Sequence, residues 1–353
     1  MTQKHSENHF CADPVFIRKA LLSWYDRHAR DLPWRREQDP YRIWLSEVML
    51  QQTRADTVIP YYTRFIEAYP TVEALSAAPE EKVLKLWEGL GYYARARNFL
   101  QAAREVQTRY GSRVPPDPRT FRDLPGVGDY TVAAVLSIAY QVPLAAVDGN
   151  IKRVLTRLYC LEEDSLETSL KKEIQSRADT LLDLERPGDF NQALMDLGAS
   201  TCTPRHPACS QCPLLSFCQA YRRGKTLEIP PPKKQKPLPR VNITAVVIQR
   251  GGMCLVRQRP RAGLLGGLWE FPTLSPGVLE KEEVMLQDKI AELQHTFSHL
   301  RWYVTVYRGE LHGAWSAVQP WRWATAEELA SLPFPSIYHR LVEQVRKNLS
   351  ATL

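Results

Sequence analysis

Fourteen residues, LEIPPPKKQKPLPR at 227–240, constrain this chain more than any other stretch. Their five prolines each lock φ and remove a backbone donor, so neither a regular helix nor a central strand can run through them. An extended, semi-rigid connector is the conformation left. The hydrophobic period changes across it. Before residue 227, segments such as VFIRKALLSWYDRHAR, YRIWLSEVMLQQTRADTVIPYYTRFIEAY and EEKVLKLWEGL place apolar residues at three- and four-residue steps, the spacing of helices. Pro70, Pro79, Gly89 and Gly111 punctuate them, and no alternating strand pattern stands out. After residue 240, NITAVVIQR and MCLVRQR read as strands around a Gly251-Gly252 turn, and RWYVTVYRGEL as another. Residues 279–294 and 325–347 read as helices. The predicted architecture is an all-α domain over 1–226, a connector over 227–240 and an α/β domain over 241–353. A length of 353 residues suits such a multidomain chain.

Hydrophobic residues make up 44% and charged residues 24%, which excludes disorder as the dominant state. Lys and Arg number 46 against 39 Asp and Glu, a net charge of +7. The excess divides as +2 before the connector, +3 on it and +2 after it. That agrees with a polyanionic partner without establishing one. No run approaches the roughly 18 apolar residues of a membrane span. The polar start, MTQKHSENHF, lacks the apolar core of a signal peptide. The expected setting is a reducing, cytoplasmic interior with no membrane contact.

Seven cysteines are too few for a disulfide scaffold, and four are gathered in TCTPRHPACSQCPLLSFC. Cys202, Cys209, Cys212 and Cys218 are spaced C-x6-C-x2-C-x5-C, and soft thiolates at that density suit zinc or an iron–sulfur core. Structural zinc sites use two close pairs set well apart. One compact loop with a single close pair fits a larger core such as [4Fe–4S] better, with zinc left open on spacing alone. Cys11, Cys160 and Cys254 are isolated and read as ordinary core or surface thiols.

LPGVGDYT, at 124–131, lies between helical segments. Gly126 and Gly128 permit a tight turn and a close backbone approach, and the helix that follows presents free N–H groups able to hold a phosphate. Val147-Asp148-Gly149-Asn150 then opens the helix IKRVLTRLY, so Asp148 is either a plain N-cap or a carboxylate held at a helix N-terminus. Glu47 lies in RIWLSEVML, where burial would raise its pKa and keep it protonated.

LPGVG, then VDGN, then the cysteine loop, in that order, resembles the helix-hairpin-helix (endonuclease III) superfamily of DNA glycosylases. SEVMLQQT at 46–53 and GLGYYARARN at 89–98 narrow the resemblance to the adenine DNA glycosylase family, and it continues past the connector. The fold class implied is an all-α helix-hairpin-helix glycosylase domain with an iron–sulfur cluster loop, plus a C-terminal Nudix-like α/β domain. The implied activity is hydrolytic removal of adenine mispaired with 8-oxoguanine or guanine in double-stranded DNA. The implied cofactor is a [4Fe–4S] cluster on Cys202, Cys209, Cys212 and Cys218, and the implied state is a monomer. Protein partners leave no motif.

The resemblance also distributes roles. Glu47 protonates the departing adenine, and ionised Asp148 stabilises the oxocarbenium ion or a covalent sugar intermediate. Tyr130 and Asn150 contact the sugar or support the two carboxylates. In the bifunctional relatives a lysine stands where Tyr130 stands, and a tyrosine cannot form an imine, so a monofunctional enzyme is expected. Gln52 and Tyr92 act as the wedge for a flipped base, with Thr53 and Leu90 against 8-oxoguanine. Gly126 and Gly128 hold the backbone. Arg30, Leu32, Trp34, Arg35 and Gln192 match the adenine-pocket region. GLLGGLWEFP at 263–272 resembles the entry to a Nudix box, but Glu282 and Glu283 stand outside any R-E-x-x-E-E arrangement, so the fold is expected to bind and not to hydrolyse. Phe297, Ser298 and His299 match the loop that touches the oxidised base. Three other readings stay in view: a pyrimidine-lesion glycosylase/lyase, a Nudix hydrolase of oxidised nucleotides, and a non-enzymatic iron–sulfur DNA-binding protein.

Overall fold

The computed structural model describes residues 13–161, 167–231, 237–275, 278–280, 283–312 and 320–351. The chain forms helices α1 (Pro14–His28), α2 (Pro40–Leu50), α3 (Ala55–Ala68), α4 (Val72–Ser76), α5 (Glu80–Leu86), α6 (Ala94–Tyr110), α7 (Pro118–Arg122), α8 (Asp129–Tyr140), α9 (Gly149–Tyr159), α10 (Glu167–Leu181), α11 (Pro187–Asp196), α12 (Gln219–Arg222), α13 (Ala326–Ser331) and α14 (His339–Ala351). Its strands are β1 (Arg240–Arg250), β2 (Met253–Gln258), β3 (Trp269–Glu270), β4 (Val284–Thr296), β5 (Arg301–Leu311) and β6 (Trp321–Ala324). Two compact units result: Met1–Gln52 with Glu105–Lys234, and Thr53–Arg104 with Gln235–Leu353. Division at the connector is a division of composition, whereas the compact units group α3, α4, α5 and the start of α6 with the sheet. Among the described residues no helix is long and apolar enough to cross a membrane.

In the first unit, Asp13 caps α1 by accepting the Val15 N–H, and Pro14 begins it. Ile17, Leu21, Leu22 and Tyr25 then pack with Ile151, Val154, Leu155 and Leu158 of α9 and with Phe190, Ala193 and Leu194 of α11. α7, a turn and α8 make the helical hairpin. Gly126 in that turn has φ of 76°, a left-handed conformation that costs glycine little. The stretch that reads as one helical run from Tyr41 to Tyr69 is broken between α2 and α3. Gln52 takes φ of 59°, which ends α2 and re-aims the chain.

The second unit contains a mixed sheet of order β3-β2-β1-β5-β4, with β6 also pairing β2. Gly251 and Gly252, at φ of 56° and 73°, close the expected β1–β2 hairpin. The run Ala245–Ile248 is buried on both faces: Ala245 and Val247 join one core, Val246 and Ile248 the other. Residues 279–294 do not form the expected helix. Val284–Thr296 is a strand, antiparallel to β5 and bulged between Leu286 and Ala291. Its Leu, Glu, Gln and Lys content favours helix locally, but β5 (RWYVTVYRGEL) offers a β-branched and aromatic edge, and pairing overrides propensity. The charged, mostly exposed outer strand protects that edge of the sheet. The expected helical stretch at 325–347 is present as α13 and α14, separated around Pro333 and Pro335.

Candidate active site

Asp39 caps α2 by accepting the Arg42 N–H at 3.0 Å, and every residue from Tyr41 to Met49 except Arg42 is buried. Glu47 therefore enters an apolar interior and keeps only 5% of its surface. Loss of water drives its carboxyl pKa up to about 7; the Asp148 charge pushes the same way, while the Tyr130 hydrogen bond and the Arg35 charge pull it back. Tyr130 is the second residue of α8, so the hairpin itself aims the phenol. Its Oη donates to Glu47 Oε2 at 2.7 Å and contacts Met195 Sδ at 3.9 Å. Burial beside two carboxylates holds that phenol well above its usual value.

Asp148 caps α9, with Oδ1 accepting the Ile151 N–H at 2.7 Å and Oδ2 accepting Asn150 Nδ2 at 3.0 Å. Burial raises its pKa, against a helix N-terminus and an amide that both favour the ionised form. Asn150 Oδ1 accepts Arg153 Nη2 at 2.8 Å, and Arg153 also donates to the carbonyls of Gly198 (2.7 Å) and Cys202 (2.8 Å). Gly198 is needed here, because a Cβ at that position would lie 2.7 Å from Asn150 Cβ. The two carboxylates thus occupy contrasting environments, one dry with a phenol donor, one held by amides. Such a pair can divide acid and anion roles.

Leu32 and Trp34 are buried, as is Gln192 on α11. Asp196, one turn beyond Gln192, is fully buried and binds Arg30 and Arg35. Arg30 Nη2 lies 2.6 Å from Oδ1, and Arg35 Nη1 lies 2.7 Å from Oδ2. Burial pushes Asp196 up, but the two guanidiniums outweigh it and hold it below the usual range. Arg30 and Arg35 are thus clamped to a carboxylate, which fixes the loop behind Glu47. Sequence reasoning missed Asp196, Arg153 and Asn150's bond to it. An Asp inside the apolar run FNQALMDLG was the signal available, since an acid there needs a partner.

Gln52 is exposed in its left-handed conformation at the end of α2. Thr53, Leu90 and Tyr92 belong to the second unit. There Arg95, which lies inside GLGYYARARN but is given no role of its own, ties them together: Nη2 donates to Thr53 Oγ1 (3.4 Å), Leu90 O (3.4 Å) and Gly91 O (3.1 Å). Its guanidinium also lies over the rings of Trp87 and Tyr92. Leu90 is buried, whereas Tyr92 is 47% exposed at φ of 49°. Two non-glycine residues held in left-handed backbone, both exposed, are positions where side-chain placement outweighs local strain. Gly128 is extended and exposed, with open space where a Cβ would stand. Phe297, Ser298 and His299 form the tip of the β4–β5 hairpin, closed by Phe297 N–H to Leu300 O at 2.8 Å. Phe297 packs edge-on to Trp302, and Ser298 and His299 are exposed. Glu283 precedes β4 and accepts the Glu280 N–H; Glu282 and Cys11 lie outside the described residues.

The four loop cysteines are partly buried, and Cys202 Sγ accepts from Arg157 Nη1 at 3.3 Å. Burial pushes the Cys209, Cys212 and Cys218 thiols up, Cys212 to about 12. Thiolates there need a strongly positive core to offset desolvation. Among the described residues no three His, Cys, Asp or Glu side chains converge tightly enough for one metal ion. Cys254 is buried in the sheet, and Cys160 ends α9 in a left-handed conformation.

Comparison with known proteins agrees with this geometry. Residues 45–179 match the HhH-GPD superfamily of base excision DNA repair proteins, 202–218 the iron-sulfur binding domain of endonuclease III, and 243–344 the NUDIX domain. The adenine DNA glycosylase of Rattus norvegicus is 37% identical over 90% of this chain and 75% of its own length. That of Homo sapiens is 37% identical over 90% and 71%. Among solved structures, a thermostable thymine-DNA glycosylase aligns with a TM-score of 0.54 and 33% identity, over 60% of this chain and 97% of its own. A trapped endonuclease III–DNA covalent intermediate aligns with a TM-score of 0.52 and 25% identity, over 60% and 99%. The loop at 202–218 is an iron–sulfur binding domain that takes a [4Fe–4S] cluster, and the chain belongs to the adenine DNA glycosylase family, as a base-excision repair enzyme with a helix-hairpin-helix domain and a Nudix domain.

Proposed function

We propose that this enzyme, acting as a monomer, flips adenine out of A:8-oxoguanine and A:G pairs in duplex DNA and hydrolyses its glycosidic bond. The observation that carries this is the dry Glu47 carboxyl, with a pKa of about 7 and bonded to Tyr130, near an Asp148 carboxylate held by amides. Glu47 donates its proton to a ring nitrogen of the extruded base. The C1′–N bond then breaks and its electron pair leaves with neutral adenine. Asp148 stands against the positive charge left on the sugar, and Glu47, now a carboxylate, takes a proton from the water that adds to C1′. Asn150 fixes Asp148, and Tyr130 fixes Glu47. Arg30, Leu32, Trp34, Arg35 and Gln192 wall the adenine pocket through the Asp196 clamp. Gln52 and Tyr92 fill the vacated stack, Thr53 and Leu90 lie against the opposite base, and Gly126 and Gly128 let the hairpin backbone approach a phosphate. The cluster, when bound, supplies structural cross-linking, since four protein ligands leave no open position.

Tyr130 cannot become an imine nucleophile, so borohydride should trap no more than traces of protein–DNA adduct. Efficient capture would mean a lyase mechanism and would overturn this step. For the opposite base, Ser298 offers a hydrogen bond at the hairpin tip. Ser298→Ala should lower the ratio of single-turnover rates on A:8-oxoguanine over A:G by about five-fold, the worth of one net hydrogen bond. An unchanged ratio would remove the hairpin from lesion recognition.

A further inference from the structure

The β4–β5 hairpin stands on an unusual pair. β1 and β5 start together in parallel, with Arg240 opposite Arg301, and Thr296 completes the row from β4. In the next row Val241 and Trp302 turn to the core, so Arg240 and Arg301 lie on the opposite face, with Asn242, Tyr303 and Gln294. The geometry shows both guanidiniums reaching Tyr303: Arg301 Nη1 donates to its Oη at 3.5 Å, and Arg240 lies over its ring at 5.6 Å. No carboxylate pairs with either arginine among the described residues; Glu292, on the same face, is taken by Lys289 at 2.9 Å. Arg301 Nε is buried without a hydrogen-bond partner among the described residues. The Arg301 hydrogen bond and the Arg240 charge pull the Tyr303 phenol below its usual value, a sign of locally positive potential.

Two like charges side by side, with no counter-ion among the described residues, repel, and an anion bridging them relieves that repulsion. We propose that Arg240 and Arg301 form a phosphate-binding site for the backbone of duplex DNA at the foot of the Phe297–Ser298–His299 hairpin. Arg301 N–H also donates to Pro239 O, so the basic connector leads directly into the site. The proposal rests on the hairpin facing DNA. It adds a sequence-independent anchor two residues from the tip, which positions Ser298 without itself reading a base.

The test is DNA affinity of the full chain against salt, for wild type, Arg240→Gln, Arg301→Gln and Arg301→Lys, on A:8-oxoguanine, A:G and unmodified duplexes. Each Gln variant should weaken binding to all three duplexes alike, by about five-fold near physiological salt, and lower the salt slope by about 1. Arg301→Lys should restore the slope. Unchanged slopes in both Gln variants, or a loss confined to the 8-oxoguanine duplex, would overturn the proposal. If Arg301→Gln does not fold, the exposed Arg240 carries the test alone. The unmodified duplex needs no excision, so failure of the adenine-excision reading would leave this result standing.

Discussion

Glu47→Gln is expected to lower single-turnover adenine release by about 10²–10⁴-fold, the range of a lost general acid, while binding of A:8-oxoguanine duplex persists. Gln preserves shape and can still accept the Tyr130 phenol, so the change removes a proton and little else. The wild-type rate should also fall as pH rises above about 7, because the acid form of Glu47 disappears there. The variant should show no such limb. Stability should fall with rising pH as well. Between the ordinary Glu value of 4.5 and about 7 the native state holds a proton that the unfolded state releases, so wild-type stability falls as pH rises through that window. Glu47→Gln escapes this loss and should be more stable above pH 7, by up to about 3 kcal/mol. Unchanged single-turnover excision would sink the assignment of Glu47.

Asp148→Asn should cost about 10²–10³-fold in the same assay, the scale of removing one preorganised electrostatic contact. Asn is as good an N-cap as Asp, and its side-chain oxygen can still accept the Ile151 N–H. Its Nδ2, however, replaces the oxygen that accepts Asn150 Nδ2, so stability should fall by only one net hydrogen bond, about 1 kcal/mol. A second readout separates charge from packing. Asp148 raises the Glu47 pKa, so its neutralisation should move the alkaline limb of the residual activity to lower pH. A variant within tenfold of wild type, with the limb unmoved, would deprive Asp148 of its role beside the sugar.

Local chemistry was the legible part of this molecule. A glycine turn followed at once by a helix, an aspartate before a helix and four cysteines in one loop are short-range patterns, and each occurs where its spacing implies. Glu47 was legible because an acid in RIWLSEVML has to be buried. What stayed hidden depends on distance along the chain. Asp196 lies 166 residues from Arg30, and no window reveals that pair. β4 looked helical because its composition is, and only β5 decides otherwise. The grouping of Thr53–Arg104 with the sheet arises from packing such as Trp269 Nε1 on Glu81 at 2.6 Å and the Phe334 N–H on Glu88 at 2.7 Å. Phe297, Ser298 and His299 are nominated by resemblance alone, since three residues at a hairpin tip carry no physical signature.

Mispair-directed adenine hydrolysis is the central claim, and base release from duplexes differing at a single pair tests it most directly. Free adenine should leave A:8-oxoguanine fastest, A:G more slowly and A:T not at all, with the strand intact until alkali is added. Release of a damaged pyrimidine, or equal release of adenine from A:T, would contradict it.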